Sequence, residues 1–439
     1  MSTAQAFDPL FCAQNHRSDL NCSILLNGFR VYTSQLSAGV KKYNLPTELR
    51  ERLKSFYPRL NLAIVQFGFS GRQPHQNATT VCNNIYFNSP VQVNEIRTMN
   101  FSSPRSFHWL LHELAHVQQC HILGSAEEFA YRWMKAAAGI VYQNARSNPM
   151  TWDWNRIHDA MPMEAEADRV AYINLAKIKG FVNTPFVGDF NGDGRDQVAT
   201  YNPLSRTVFL NGRFNFNVGA IRAIPLAGDV DGDGKDEIIL FTPSFGKWDI
   251  YRTNGTLIRT ISFARRSEYI PFVSDVNGDG LADLIAYRPS DSRWFAQSSI
   301  GVTYVTGVRN GTLGSVPMVG DYDGDGHTDF MVYNPENSQW RSVDRNGVPV
   351  LNLNNYGRTK NYVPLAADFS GDRVFDFGLF RMSDNNFYAR KADRNILSSI
   401  RVISGARYKT PVLADLNGNG ISGLVIYNLR THTTNSFSQ

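Results

Sequence analysis

His112, Glu113 and His116 are the residues of this sequence best suited to chemistry. They lie in the run Phe107-His-Trp-Leu-Leu-His-Glu-Leu-Ala-His-Val-Gln-Gln, an HExxH pattern. On a helix, residues four apart share a face, so both imidazoles can ligate one zinc ion. The glutamate between them is then placed to take a proton from an attacking water. Trp109, Leu110, Leu111, Leu114 and Ala115 are helix-compatible and apolar, as suits a helix buried in a small domain. The competing reading is a buried helix whose two histidines are structural.

Two histidines leave a catalytic zinc one protein ligand short. His121 lies nine residues after His112, where the long three-histidine pattern needs ten, and Gln119 stands at that pattern's glycine. His121 is therefore not expected to ligate. The segment Met163-Glu-Ala-Glu-Ala-Asp-Arg places Glu164 and Asp168 four apart on one face of a predicted helix. One carboxylate can complete the ligand set, and the second can hold a ligating histidine by its far nitrogen. Glu166 is a rival ligand. It points about 200° from Glu164 on a helix, so only one of them faces the metal. A donor to a developing oxyanion is also required; His158 and Tyr172 are candidates that spacing does not separate.

These runs together resemble the gluzincin metallopeptidases of the ExxAD variety, and most of all a small zincin domain found in cargo of bacterial contractile injection systems. The resemblance is carried by His-Glu-Leu-Ala-His followed by Val117 and Gln118, and by Glu164-Ala-Glu-Ala-Asp. The run Asn77-Ala-Thr-Thr-Val-Cys-Asn-Asn-Ile-Tyr-Phe-Asn is similar to that family's strand before the metal helix. The likeness spans about residues 40–178. It implies zinc on His112, His116 and Glu164, Glu113 as general base, and Asp168 holding a ligand from behind.

The elements that must position these residues are helices, predicted over Pro46–Phe56, Phe107–Leu123, Glu127–Gln143 and Met163–Lys177. Near residue 180 the chain changes grammar. Asp189, Asp229, Asp275, Asp321, Asp368 and Asp415 anchor a repeat, spaced by 40, 46, 46, 47 and 47. Four residues before each anchor is a proline, and twelve after it an aromatic: Tyr201, Phe241, Tyr287, Tyr333, Phe380 and Tyr427. Nineteen after the first five anchors stand Val208, Trp248, Trp294, Trp340 and Phe387. Short β-rich runs such as Asp283-Leu-Ile-Ala-Tyr and Trp294-Phe-Ala-Gln alternate with turn clusters, as in propeller blades. The expected architecture is an α+β zincin domain over 1–178, then an all-β propeller over 179–439. Six blades are expected, with seven as the alternative. The last copy is short of an outer strand, and residues 175–184 are expected to complete it.

Each anchor opens a loop of calcium-binding type, with oxygens at positions 1, 3, 5 and 9 and glycine at position 6 for the turn. Asp229, Asp231, Asp233 and Glu237 fit, as do Asp275, Asn277, Asp279 and Asp283, and Asp321, Asp323, Asp325 and Asp329. Asp189, Asn191 and Asp193 end in the weaker Gln197. The fifth loop (Asp368, Ser370, Asp372, Asp376) has Arg373 in place of glycine, and the sixth (Asp415, Asn417, Asn419) reaches Gly423. The competing reading is Asx-rich turns without metal. These loops resemble the FG-GAP and VCBS repeats of integrin α-subunit propellers and many microbial secreted proteins. The resemblance covers 181–439 and implies structural calcium in a propeller used for binding.

Composition sets the remaining bounds. The chain has 439 residues, 42% hydrophobic and 19% charged, as for a folded protein of two or three domains. No apolar run approaches the roughly 18–20 residues of a membrane span, and the N-terminus lacks the features of a secretory signal. The net charge of +5 arises before residue 181, with 18 Lys/Arg against 13 Asp/Glu, and 26 against 26 thereafter. No basic cluster accompanies it, so nucleic acid is not an expected partner. Cys12, Cys22, Cys82 and Cys120 permit two disulfides in three connectivities, or free thiols.

The expected function is a zinc endopeptidase acting on a protein or peptide, with a propeller that holds substrate, a glycan or a cell-surface protein. The alternative is a calcium-propeller lectin or adhesin with a non-catalytic zinc domain. A monomer is expected. Loops of this type in extracellular modules bind calcium at about 10⁻⁴–10⁻³ M, so an extracellular working place is expected, reached without a recognisable signal peptide; delivery by injection is a compatible expectation.

Overall fold

The computed structural model describes residues 20–72, 78–134, 136, 161–210, 214–219, 222–357, 362–381, 386–391, 396–401 and 408–437. Cys12, Asn77, His158 and the predicted helical residues 137–143 lie outside them, as does the side chain of Cys22. The described parts form two compact units. One takes its residues from Met1–Leu45, Arg59–Thr98 and Trp109–Ala171, the other from Pro46–Pro58, Met99–His108 and Tyr172–Gln439.

Six α-helices are described: α1 (Leu20–Ser37), α2 (Thr47–Leu53), α3 (Pro90–Thr98), α4 (Pro104–Leu123), α5 (126–134) and α6 (Pro162–Lys177). Helix α1 was not predicted; its Asn, Ser, Thr and Gly residues are weak helix formers. Helix α4, which carries the HExxH run, has clear boundaries. The Ser103 hydroxyl accepts from Ser106 N, Pro104 opens the first turn, and Gly124 ends the helix at φ 87° with its N–H on Cys120 O. A mixed sheet in the first unit has the order β1-β2-β4-β3, from β1 (Lys42–Asn44), β2 (Gln66–Phe69), β3 (Ala78–Val81) and β4 (Asn84–Phe87). Strand β2 runs parallel to β4, and β3 forms an antiparallel hairpin with β4 that leaves β3 at the edge. Phe67, Ile85 and Phe87 of the sheet and Leu110, Leu111, Leu114 and Val117 of α4 are buried.

The second unit holds six antiparallel sheets in chain order, five with four strands and the sixth with three among the described residues. In the third, Ile270–Ser274, Asp283–Arg288, Arg293–Gln297 and Thr303–Arg309 pair in succession. The first strand of each sheet lies beside the first strand of the next, and the sixth returns to the first, so the sheets are the blades of a closed six-bladed propeller. The repeated proline falls in this inner strand, whose channel-side edge needs no N–H for a ladder. The two aromatic repeat positions are cross-strand neighbours: Phe241 with Trp248, Tyr287 with Trp294, Tyr333 with Trp340. Each tryptophan is fully buried, and Trp294 stacks on Phe330 of the next blade at 4.9 Å.

Ring closure differs from the sequence expectation. Residues 175–177 end α6, and Thr184–Gly188 is the inner strand of the first blade, so residues 175–184 complete no strand of the sixth. Closure instead runs through the acidic loops. The anchor carbonyls of Asp189, Asp229, Asp275, Asp321 and Asp368 accept from the position-8 N–H of the following loop, at Asp236, Ala282, Thr328, Phe375 and Ser422. Asp196 N then donates to Asp415 O, which closes a belt of six bonds. A second belt explains the glycine at position 4 of every loop. A Cβ at Gly278 (φ 77°) would meet the His327 ring at 2.5 Å, because the position-7 side chain of the next loop covers it.

Trp294→Ala is expected to lower propeller stability by about 3–5 kcal/mol, read as the midpoint and slope of urea unfolding. A loss below about 1 kcal/mol would contradict the packing described for this blade.

Candidate metal centre

Helix α4 turns His112 and His116 to one face, and α6 presents Glu164 to them. All three are buried. His112 Nε2 and His116 Nε2 are 3.0 Å apart, and Glu164 Oε2 lies 3.2 Å from the first and 3.0 Å from the second. Three Lewis-basic atoms thus converge in a site with little water. Two imidazoles and a carboxylate are a donor set suited to zinc, so the residues fit the ion.

Each of these side chains is also held from behind. Asp168 Oδ1 is 2.9 Å from His112 Nδ1, and Gln119 Oε1 is 2.9 Å from His116 Nδ1. Both acceptors favour a proton on Nδ1, which leaves Nε2 as the lone-pair nitrogen facing the centre. Trp133 Nε1, on α5, donates to Glu164 Oε1 at 2.8 Å. The Thr80 hydroxyl, on the edge strand β3, donates to Glu113 Oε2 at 2.6 Å. Glu113 is 2% exposed, so its carboxylate is fixed beside the histidines.

The electrostatics call for positive charge. Burial pulls the His112 imidazole down, but hydrogen bonds to Asp168 and Glu164 and the charge of Glu113 outweigh it, so it stands well above the ordinary histidine value. His116 is likewise pulled down by burial and raised overall, chiefly by Glu164. Without metal, protons neutralise the cluster; a divalent cation meets the same demand.

The other sequence candidates lie elsewhere. Glu166 is exposed, 3.5 Å from Arg169, while its neighbour Glu164 faces the histidines. His121 bonds Asn83 Oδ1 at 2.6 Å. Tyr172 packs its ring on those of His108 and Tyr408. Sequence reasoning missed Thr80, Gln119 and Trp133. Gln119 carried a signal, three residues after His116 on the same helix, whereas the other two approach from elsewhere in the chain. A Cys82–Cys120 disulfide, one of the pairings left open above, ties the β3–β4 turn to α4.

In the acidic loops, carboxylate oxygens of Asp229, Asp231 and Glu237 lie within 4.8 Å of one another, as do those of Asp321, Asp323 and Asp325. Asp233 Oδ1 accepts from Lys235 N, while position-9 Asp329 accepts from Tyr322 N. In the third loop Asp275 caps Gly278 N and Gly280 N, Asn277 donates to Asp279, and Asp283 accepts from Val276 N. In the first, Asp189 caps Gly192 N, Asn191 donates to Asp193, and Gln197 accepts from Phe190 N. Burial first, and neighbouring acids second, push Glu237 and Asp329 up to about 7 and Asp283 to about 6, against backbone hydrogen bonds that lower them.

Asp168→Asn and Gln119→Ala are each expected to weaken zinc binding by about 10–100-fold in competition with a chromophoric chelator, and unchanged affinity would contradict their roles. The raised loop carboxylates bind protons more tightly folded than unfolded, so their destabilisation of metal-free protein is present above pH 7. It is relieved as pH falls through 7 and 6 towards the ordinary carboxylate range. In chelator the melting temperature should therefore rise from pH 8 to pH 5.5; an unchanged or lower melting temperature at pH 5.5 would contradict this.

Residues 229–286 and 275–332 match the family model of the FG-GAP-like repeat. No curated protein matches the chain. Among solved structures it is similar to an Agrocybe aegerita lectin that recognises non-reducing terminal N-acetylglucosamine, with 16% identity over 58% of this chain and 80% of that one, TM-score 0.40. It is also similar to virginiamycin B lyase from Staphylococcus aureus, with 8% identity over 60% and 85%, TM-score 0.39. At such scores the likeness says nothing of ligand or activity. The chain therefore joins FG-GAP-like propeller repeats to an N-terminal α+β region with a buried His-His-Glu centre.

Proposed function

We propose that this chain is a zinc-dependent endopeptidase, with hydrolysis in residues 1–178 and a calcium-stabilised propeller in 179–439 that holds substrate, a partner or a surface. The observation that carries this reading is Glu113. A structural metal site needs no carboxylate beside its ligands, yet Glu113 is buried next to both histidines and bound by Thr80 at 2.6 Å.

Zinc at this centre supplies a Lewis acid that polarises a carbonyl and acidifies water. Glu113 takes the proton of the attacking water as the new C–O bond forms, and hands it to the amine nitrogen as the C–N bond breaks. Thr80 limits the rotation of that carboxylate. Asp168 and Gln119 keep the two histidines in one tautomer and orientation. An extended peptide suits the site. Strand β3 carries Thr80, and its outer edge has no strand partner among the described residues, so its main chain can pair with a substrate strand.

The Cys82–Cys120 disulfide supports an oxidising place of work, and acidic loops of this type require calcium at extracellular levels. Both favour action outside the producing cell.

Glu113→Gln should reduce cleavage of an unstructured protein such as casein by at least about 100-fold while zinc content stays at the wild-type value. Cleavage by wild type should stop in a zinc chelator and return with zinc. Full activity in Glu113→Gln would refute the assignment. Zinc binding without any cleavage by wild type would favour a binding protein instead.

A further inference from the structure

The fifth acidic loop breaks the pattern with Ser370 at position 3 and Arg373 at position 6, yet it folds like its neighbours. Asp368 Oδ1 accepts from Gly371 N at 2.6 Å and Oδ2 from Arg373 N at 2.7 Å, while Arg373 itself takes the left-handed turn at φ 67°. Asp376 Oδ2 accepts from Phe369 N at 3.0 Å, as position 9 does in the complete loops. The difference lies at position 5. Asp372 Oδ1 accepts from Val374 N, and its Oδ2 is paired with the Lys391 ammonium.

Lys391 is the first residue beyond the strand Asn386–Arg390, and stands 23 residues after the anchor Asp368. Arg252 occupies the same place in the second blade and reaches Asp231 Oδ2 at 3.1 Å. There the carboxylates of Asp229, Asp231 and Glu237 still converge within 4.8 Å. In the fifth loop Asp368, Asp372 and Asp376 form no such group among the described residues, and neither do Asp275, Asp279 and Asp283 of the third, so the Lys391 pair is what sets the fifth loop apart. The third and fourth blades have Ser298 and Asp344 at this place, and neither brings a cation.

We propose that Lys391 is the resident cation of the fifth loop, so that this blade keeps its turn, and its link in the belt, without calcium. Three carboxylates in one turn repel one another unless a positive charge stands among them. In the third and fourth blades no side chain at this place supplies that charge, so it must come from solution. Here a flexible four-carbon stem brings it from the same blade. The link matters because Ser422 N of the sixth blade donates to Asp368 O, so a fifth loop that opened would break the ring. The inference rests on the reading of the complete loops as calcium sites.

The test is equilibrium dialysis of the full chain against millimolar calcium, with bound calcium counted per chain, together with melting curves in chelator. Asp323→Asn, in a complete loop, should lose one calcium, and Asp372→Asn should keep the wild-type number. Loss of one calcium in Asp372→Asn would overturn the proposal. In chelator, Lys391→Met should melt about 1–3 °C below wild type, and an unchanged melting temperature would overturn it equally. Wild type that binds no calcium would refute the reading of the complete loops. The Lys391→Met melting shift would then still decide the role of the lysine.

Discussion

Three buried Lewis bases within 3.2 Å of one another are unstable company without a positive charge among them. Much of the first unit can be understood as the means of holding them there. Helix α4 fixes the two histidines by its own periodicity, with a serine cap at one end and a glycine stop at the other. Helix α6 contributes both the third base and, one turn on, the carboxylate behind His112. The β3–β4 hairpin is bound to α4 at three points: the Thr80–Glu113 hydrogen bond, the Asn83–His121 hydrogen bond and the Cys82–Cys120 disulfide. A carboxylate at Glu113 therefore keeps one orientation, as a general base requires.

The propeller meets a similar electrostatic demand by repetition. Its acidic turns lie where one blade meets the next, and their backbone groups form the belt that joins first blade to last. Charge in these turns is thus coupled to closure of the ring. At the seam, Asp415 N donates to Asp196 Oδ2 while Asp196 N donates to Asp415 O, a reciprocal pair that does the work of a shared strand. The aromatic ladder beneath supplies the apolar cohesion, with each tryptophan bridging its own sheet and the next.

How much of this was legible in sequence depends on the range of the interaction. The shared face of His112 and His116 follows from helical spacing, and so does that of Glu164 and Asp168. The propeller is legible because six copies repeat the same prolines, anchors and aromatics, so noise in one copy is corrected by the others. Thr80 and Trp133 were not legible, since no local spacing connects them to Glu113 and Glu164. Gln119 is legible as an i+3 neighbour of His116. The closure is not legible, because a short last copy points to a borrowed strand. Hydrogen bonds between successive turns leave no trace in composition.

The central claim is that His112, His116 and Glu164 hold a zinc ion. Anomalous diffraction across the zinc absorption edge, from crystals of protein purified without added metal, tests it most directly. The account predicts one strong zinc-specific peak bounded by the Nε2 atoms of the two histidines and the Glu164 carboxylate. Zinc-supplemented crystals with no peak at that position would contradict it.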